Sequence, residues 1–122
     1  MIKFVVGGQL DKKTIAELIK KIGGDQVEVD IKNDLDAVMA VKNGQYDYYL
    51  GACETGSGGA LAMAIALLGS EKTVTVSMPG SSISEEAIIG SVNEGKIAFG
   101  FTSTHTEKVV PIIIQAILDK NL

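Results

Sequence analysis

The sequence contains no arginine, one cysteine and one histidine among its 122 residues. Without arginine there is no guanidinium fork to grip a carboxylate or phosphate, so an anion must be held by backbone N–H groups, hydroxyls or a lysine point charge. A phosphatase loop that pairs cysteine with arginine is excluded on the same ground. A lone cysteine rules out an intramolecular disulfide and gives no sign of an oxidising compartment. One histidine and one cysteine do not make a ligand set, so no metal is expected. Concentrated positive charge is also missing: the formal net charge is −4, which argues against a nucleic-acid partner and its basic stripe. Long apolar runs are absent too. The longest, Ala60–Leu68, falls far short of the roughly 20 residues of a membrane span, and the opening Ile2–Val6 lacks the flanks of a signal peptide. The expectation is a cytoplasmic protein with no membrane association.

What is present is an alternation of short apolar runs with segments of helical periodicity. Ile2–Val6 reads as a first strand closed by Gly7 and Gly8. Thr14–Ile22 places Ile15, Leu18, Ile19 and Ile22 on one stripe, with Gly23 and Gly24 as the stop. Val27–Ile31 alternates apolar and acidic residues, as an edge strand with one wet side does. Asn33 can cap a helix whose first turn holds Asp34 and Asp36, and Asn43-Gly44 ends it. Tyr46–Ala52 is a third strand and Ala60–Leu68 a helix ended by Gly69. Lys72–Met78 reads as a fourth strand, closed by Pro79-Gly80. Ser82 and Glu85 match a capping box for a helix running to about Val92. Ile97–Phe101 is a fifth strand, and a last helix covers about Thr106 to Lys120. Thr104 and Glu107 offer it a capping box, but Pro111 would then break a helical hydrogen bond, so the helix either kinks there or starts nearer Glu107. The pattern predicts one α/β domain over residues 1–122: a three-layer α/β/α sandwich around a five-stranded parallel, Rossmann-like sheet. The order of the fourth and fifth strands stays open.

In such folds ligands bind beyond the carboxyl ends of the strands. Those ends carry Gly8 and Gln9, then Cys53 with the turn Glu54-Thr55-Gly56-Ser57-Gly58-Gly59, then Gly80 and Ser81, then the loop containing His105. A cysteine between a strand end and a helix start lies beside unpaired N–H groups and a positive dipole end, a setting that lowers thiol pKa; the alternative is a small buried hydrophobe. Gly56, Gly58 and Gly59 permit close approach of backbone to ligand, and successive N–H groups make an anion cradle to which Thr55 and Ser57 add hydroxyls. The plainer alternative is a tight connection. The turn is not G-x-G-x-x-G after a first strand, so no dinucleotide and no other cofactor is expected. Glu54 is a candidate for proton transfer and His105 for general acid–base work, or else His105 is simply exposed. Asp47, near the same edge, is expected to face solvent, and Tyr46, Tyr48 and Tyr49 to be packing residues with wet tips.

The helix Ala60–Leu68 has no polar face, although a surface helix of this architecture should show one. A second copy of the chain is the simplest cover, so a homo-oligomer, most simply a dimer through this helix, is expected.

Three segments, Asn33-Asp34-Leu35-Asp36, Asp47 to Gly58 and Gly95-Lys96-Ile97-Ala98-Phe99-Gly100, resemble the YhfU-like bacterial proteins, a family without an assigned activity. Gly44 to Gly58 is more remotely similar to the site segment of the ribose-5-phosphate isomerase B and galactose-6-phosphate isomerase family, in which a cysteine base and a Thr-Gly-x-Gly turn follow a strand. That resemblance implies a five-stranded parallel sheet in a dimer with sites between subunits. It makes Cys53 the proton-abstracting base, with Thr55 and the backbone of Gly56 and Gly58 stabilising the enediolate. The chain departs from that family where Gly7-Gly8-Gln9-Leu10 replaces an Asp-His pair, where Asn93-Glu94-Gly95-Lys96 replaces a ring-opening histidine, and in having no arginine for a substrate phosphate. The resemblance therefore implies architecture and base rather than a sugar-phosphate substrate. The leading expectation is an isomerase-like enzyme acting on a small carbohydrate-derived carbonyl compound. The alternatives are a non-catalytic module binding a small anion in the same loop and, ranked last, a phosphotransferase-system B-type phospho-carrier.

Overall fold

The computed structural model describes residues 1–54 and 59–122. In chain order the elements are β1 (Ile2–Gly8), α1 (Lys12–Gly23), β2 (Val27–Ile31), α2 (Asp34–Lys42), β3 (Tyr48–Cys53), α3 (Gly59–Leu68), β4 (Thr73–Thr75), β5 (Ser77–Met78), β6 (Ser81–Ser82), α4 (Glu85–Asn93), β7 (Ala98–Thr102) and α5 (Thr106–Lys120). Five strands make one parallel sheet in the order β2-β1-β3-β7-β4, which puts the last parallel strand inside and β4 at the edge. β2 forms the other edge, in keeping with its alternating acidic residues. Helices α1, α4 and α5 pack together on one face and α2 and α3 on the other. That division follows from right-handed crossovers: connections running one way across the sheet put their helices on one face, and returning connections use the opposite face.

The two faces are filled differently. On the α1/α4/α5 face the strands contribute Phe4, Val6, Leu50, Phe99 and Phe101, packed against Ile15, Ile19, Ile88, Val92, Ile113 and Ile117. On the α2/α3 face a smaller cluster joins Val5, Tyr49 and Ala98 to Ala37, Val38, Val41, Leu61 and Ala64. α1 buries Ile15 and Ile19 and carries Lys20 and Lys21 in its last turn, where they complement the helix dipole. No helix among the described residues is long and apolar enough to cross a membrane.

Several local expectations need correction. The run from Lys72 to Met78 is not one strand: β4 stops at Thr75, and Ser77–Met78 turns out of the sheet to pair antiparallel with Ser81–Ser82. Ser82 is consequently a hairpin residue, and the cap of α4 is Ser84, whose side chain accepts from the Ala87 N–H. α5 begins at Thr106 with no side-chain cap and continues through Pro111, so the Thr104–Glu107 capping box does not form. The helix is held by its own buried face: Val109, Val110, Ile113, Ile114 and Ile117 are fully buried, and their burial outweighs one missing helical hydrogen bond.

Candidate functional site

Strand register explains where an opening can exist. Gly7 on β1 pairs with Gly51 on β3, and Gly51 pairs with Gly100 on β7, so three neighbouring strands carry glycine at one level. Side chains alternate between faces, and this row lies on the α2/α3 face, level with no bulky side chain. One step towards the carboxyl edge on the same face, Cys53 pairs with Thr102. One step back, Tyr49 leans along its strand into the trough left by the glycines. A Cβ on Gly51 would lie 2.5 Å from the Tyr49 hydroxyl oxygen, and one on Gly7 would lie 2.6 Å from the ring.

The tyrosine hydroxyl is therefore not wet. Tyr49 is fully buried and donates its hydrogen bond to Asp34 Oδ1, which also accepts from the Gly8 N–H at 2.9 Å. Burial, and then the Asp34 carboxylate, push the Tyr49 phenol well above its ordinary value; a charge on Cys53 raises it further. Tyr49 thus stays protonated throughout the physiological range and lies close enough to Cys53 for the two to interact electrostatically. Asp34 reaches this position because it is the first residue of α2, held there by Asn33, whose side chain accepts from the Asp36 N–H at 2.9 Å.

The loop after β1 closes over the end of β3. The N–H groups of Gln9 and Leu10 both donate to the Ala52 carbonyl, at 2.9 and 3.1 Å. Gly8 has φ +74°, and a Cβ there would meet the Ala52 nitrogen at 2.7 Å, so only glycine lets the two strands meet this way. Asp11 takes a left-handed conformation at φ 56° and accepts from the Thr106 hydroxyl at 2.9 Å, tying this loop to the start of α5. A non-glycine residue in that region signals local strain of the kind found at functional loops.

On the other side of Cys53 the hairpin anchors β7: the Thr102 N–H donates to Ser77 Oγ at 3.0 Å. Thr102 is 2 % exposed, and among the described residues its Oγ1 finds no hydrogen-bond partner; neither does the buried Nδ1 of His105, at the end of the following 3-10 turn.

The anticipated residues can now be placed. Cys53 is buried at the end of β3, with Glu54 exposed beyond it. Gly8 and Gln9 lie in the loop that closes over β3, and His105 is half-buried with Nδ1 inward. Gly80 and Ser81 are exposed at the hairpin tip, beyond Ser77. Gly59 opens α3. Thr55, Gly56, Ser57 and Gly58 lie outside the described residues. Asp47 does not belong to this edge: it precedes β3, accepts from the Lys3 N–H at 2.9 Å, and sits a strand length away from Cys53. There it lines a wide groove of about 790 Å³ with Met1, Asp25, Gln26 and Asn121, at the amino edge where this architecture does not bind ligands.

Asp34, Tyr49 and Thr102 were not anticipated. Asp34 read as a helix-dipole residue and Tyr49 as packing, and both readings are correct as far as they go. The signal that finds them is the spacing of glycine: Gly7 and Gly51 each occupy a strand position that would ordinarily hold a large apolar residue. Among the described residues no three His, Cys, Asp or Glu side chains gather to hold a metal ion.

The family described as "Protein of unknown function DUF2620" matches residues 2–117. The uncharacterised protein YhfU of Escherichia coli K12 is 43% identical over 115 residues, covering 94% of this chain and 97% of the relative. YhfU of Shigella flexneri matches at the same identity and coverage. Among solved structures, the type B ribose 5-phosphate isomerase of Trypanosoma cruzi superposes with a TM-score of 0.67 at 14% identity, covering 97% of this chain and 83% of that one. At that identity the likeness is one of fold.

Proposed function

From the premise that the chain belongs to the DUF2620 family, we propose that it is a cytoplasmic isomerase-like enzyme acting on a small carbohydrate-derived carbonyl compound, with Cys53 as base. The observation that carries this reading is the juxtaposition of Cys53 with a buried, protonated Tyr49 held by Asp34. In an isomerisation through an enediolate, Cys53 Sγ takes the proton from the carbon next to the carbonyl, and the C–H electron pair moves to leave negative charge on the carbonyl oxygen. The proton returns from Cys53 to the former carbonyl carbon, while the neighbouring hydroxyl becomes the new carbonyl and its proton passes to the first oxygen, so no oxidant, reductant or co-reactant is consumed. Tyr49 donates its one hydroxyl proton to the hydrogen bond with Asp34, so the pair fixes one wall of the candidate site, and the donors that meet the developing charge must come from elsewhere. Thr55, Gly56, Ser57, Gly58 and Gly59 are proposed as the cradle for the enediolate or a substrate anion, with Gly8, Gln9, Gly80 and Ser81 as further binding residues and Glu54 and His105 as proton-transfer candidates. The likeness of fold to a sugar-phosphate isomerase supports the reading at the level of architecture.

One observation favours a second reading. Cys53 is only 2 % exposed, which suits a small-anion-binding module that senses through this loop without chemistry. A thermal-shift screen of sugar phosphates, sugar acids and amino sugars on wild type and Cys53→Ser separates the two. The enzyme reading expects stabilisation in both proteins and turnover in wild type alone. Turnover surviving in Cys53→Ser removes it, and binding without turnover in either protein favours the module.

The same reading places a second copy of the chain against α3. Ala62, Met63, Ile65 and Ala66 are exposed on that helix, and Leu35 and Met39 are exposed on the neighbouring α2. An exposed apolar surface running across two adjacent helices marks an interaction site. Sedimentation at micromolar concentration should give a dimer, reduced to monomer by Ile65→Glu; a monomeric wild type would remove the proposal.

A further inference from the structure

Among the described residues, two buried side-chain polar atoms at the carboxyl edge have no hydrogen-bond partner, and both lie on the β7 side of Cys53. Thr102 is the register partner of Cys53 on the adjacent strand and shares its face of the sheet. The residue is 2 % exposed, and its Oγ1 has no hydrogen-bond partner among the described residues. A buried hydroxyl left in this state costs stability, and buried polar groups are nearly always paired. Threonine here is not explained by its backbone, because the Thr102 N–H is already held by Ser77 Oγ. His105 ends the 3-10 turn Ser103–His105, which follows Thr102 directly at the carboxyl end of β7. Its Nδ1 is likewise buried without a partner among the described residues, and the residue as a whole is half-buried.

We infer that Thr102 Oγ1 and His105 Nδ1 form a hydroxyl-binding subsite beside Cys53, which takes an alcohol group of a small polyhydroxy carbonyl ligand. The inference rests on the proposed carbohydrate-derived substrate and narrows it. An alcohol can accept from a threonine hydroxyl and donate to an unprotonated imidazole nitrogen, so its chemistry matches both orphaned atoms. A phosphate or carboxylate here would meet no arginine, and Lys108, the next lysine along the chain, is engaged with Ser82 Oγ at 3.0 Å. The β7 side therefore takes the neutral, hydroxylated end of the ligand, and any anionic end belongs at the glycine-rich turn.

The test is Thr102→Val and Thr102→Ser, measured by thermal unfolding without ligand and with D-ribose, D-glyceraldehyde and the hydroxyl-free carbonyl pyruvate, alongside Cys53→Ser. Without ligand, Thr102→Val should unfold at the wild-type temperature or about 3 °C above it, since an unpaired buried hydroxyl is removed. It should bind the hydroxylated probes at least tenfold more weakly than wild type does, with pyruvate unaffected and Thr102→Ser near wild type. A ligand-free midpoint several degrees lower in Thr102→Val would mean that the hydroxyl is bonded within the protein, and it overturns the inference. Unchanged affinity for the hydroxylated probes overturns it equally. If wild type responds to no probe, the carbohydrate reading falls, and the ligand-free midpoint alone then decides whether Thr102 is an unsatisfied group. Binding retained in Cys53→Ser but lost in Thr102→Val assigns the subsite independently of the chemistry at Cys53.

Discussion

The two faces of the sheet divide the work of the molecule. On the α1/α4/α5 side, β1, β3 and β7 present Phe4, Val6, Leu50, Phe99 and Phe101 to three helices, and the result is a dense apolar core. On the α2/α3 side the same three strands present glycine at one level and Cys53 and Thr102 at the next. The space is taken by one tyrosine whose hydroxyl ends on a carboxylate. Burial on the first face provides the stability that allows the second to carry small residues, a half-buried carboxylate and polar atoms unpaired among the described residues. A site needs these features, and each of them weakens a fold on its own.

Substitutions should behave differently on the two faces. The largest loss is expected from Phe4→Ala, which removes a fully buried ring stacked on Tyr48 at 5.5 Å. It should cost about 3–5 kcal/mol in denaturant unfolding, without altering ligand affinity in any variant that still folds. On the opposite face the damaging change adds an atom: Gly51→Ala should cost about 1–3 kcal/mol because the new methyl drives into the Tyr49 ring. It should also weaken ligand binding, which Phe4→Ala should not. A Gly51→Ala protein of wild-type stability would show that the trough is not filled as described.

Tyr49→Phe comes next, at about 1.5 kcal/mol for a hydrogen bond to a carboxylate. Its pH dependence is more telling than its size. Above about pH 10 the unfolded tyrosine loses its proton while Tyr49 in the folded chain keeps it, so the folded state binds more protons. Stability then falls with rising pH, by about 1.4 kcal/mol per unit for one such group. Tyr46, pushed up to about 12 first by its hydrogen bond to Asp30, stays in both proteins. The difference between wild-type and Tyr49→Phe slopes above pH 10 therefore reports Tyr49 alone, and equal slopes would contradict its assigned environment. The smallest effects come from the caps. Asn33→Ala and Ser84→Ala should each cost about 1 kcal/mol, one on either face. Only Asn33→Ala should also disturb ligand binding, because only α2 carries Asp34 into the site.

The alternation of strands and helices was legible because hydrophobic periodicity is a local property, and Asn33 as a cap, β2 as an edge and the apolar α3 were legible for similar reasons. The breaks came where a long-range partner overrode local preference. Val76 reads as part of a strand, but its N–H bonds to Gly100 and the chain then turns into a hairpin, which also displaces the cap from Ser82 to Ser84. Pro111 reads as a helix breaker until the burial around it is counted. At the candidate site, the topology rule put Cys53 at the carboxyl end of its strand, where β3 ends, but it could not align Gly7 with Gly51 and Gly100. That alignment depends on strand order and register, and without it Tyr49 is one more aromatic residue and Thr102 one more strand threonine.

The most direct test is proton exchange at the carbon next to the carbonyl. Small aldoses and ketoses, incubated in D2O with wild type or Cys53→Ala, are followed by proton NMR for loss of the α-proton signal. Wild type should exchange this proton with solvent for at least one compound, and Cys53→Ala should do so about a hundredfold to ten-thousandfold more slowly, the span expected for a positioned general base. Exchange that continues undiminished in Cys53→Ala, or that wild type never catalyses, would contradict Cys53 as the base.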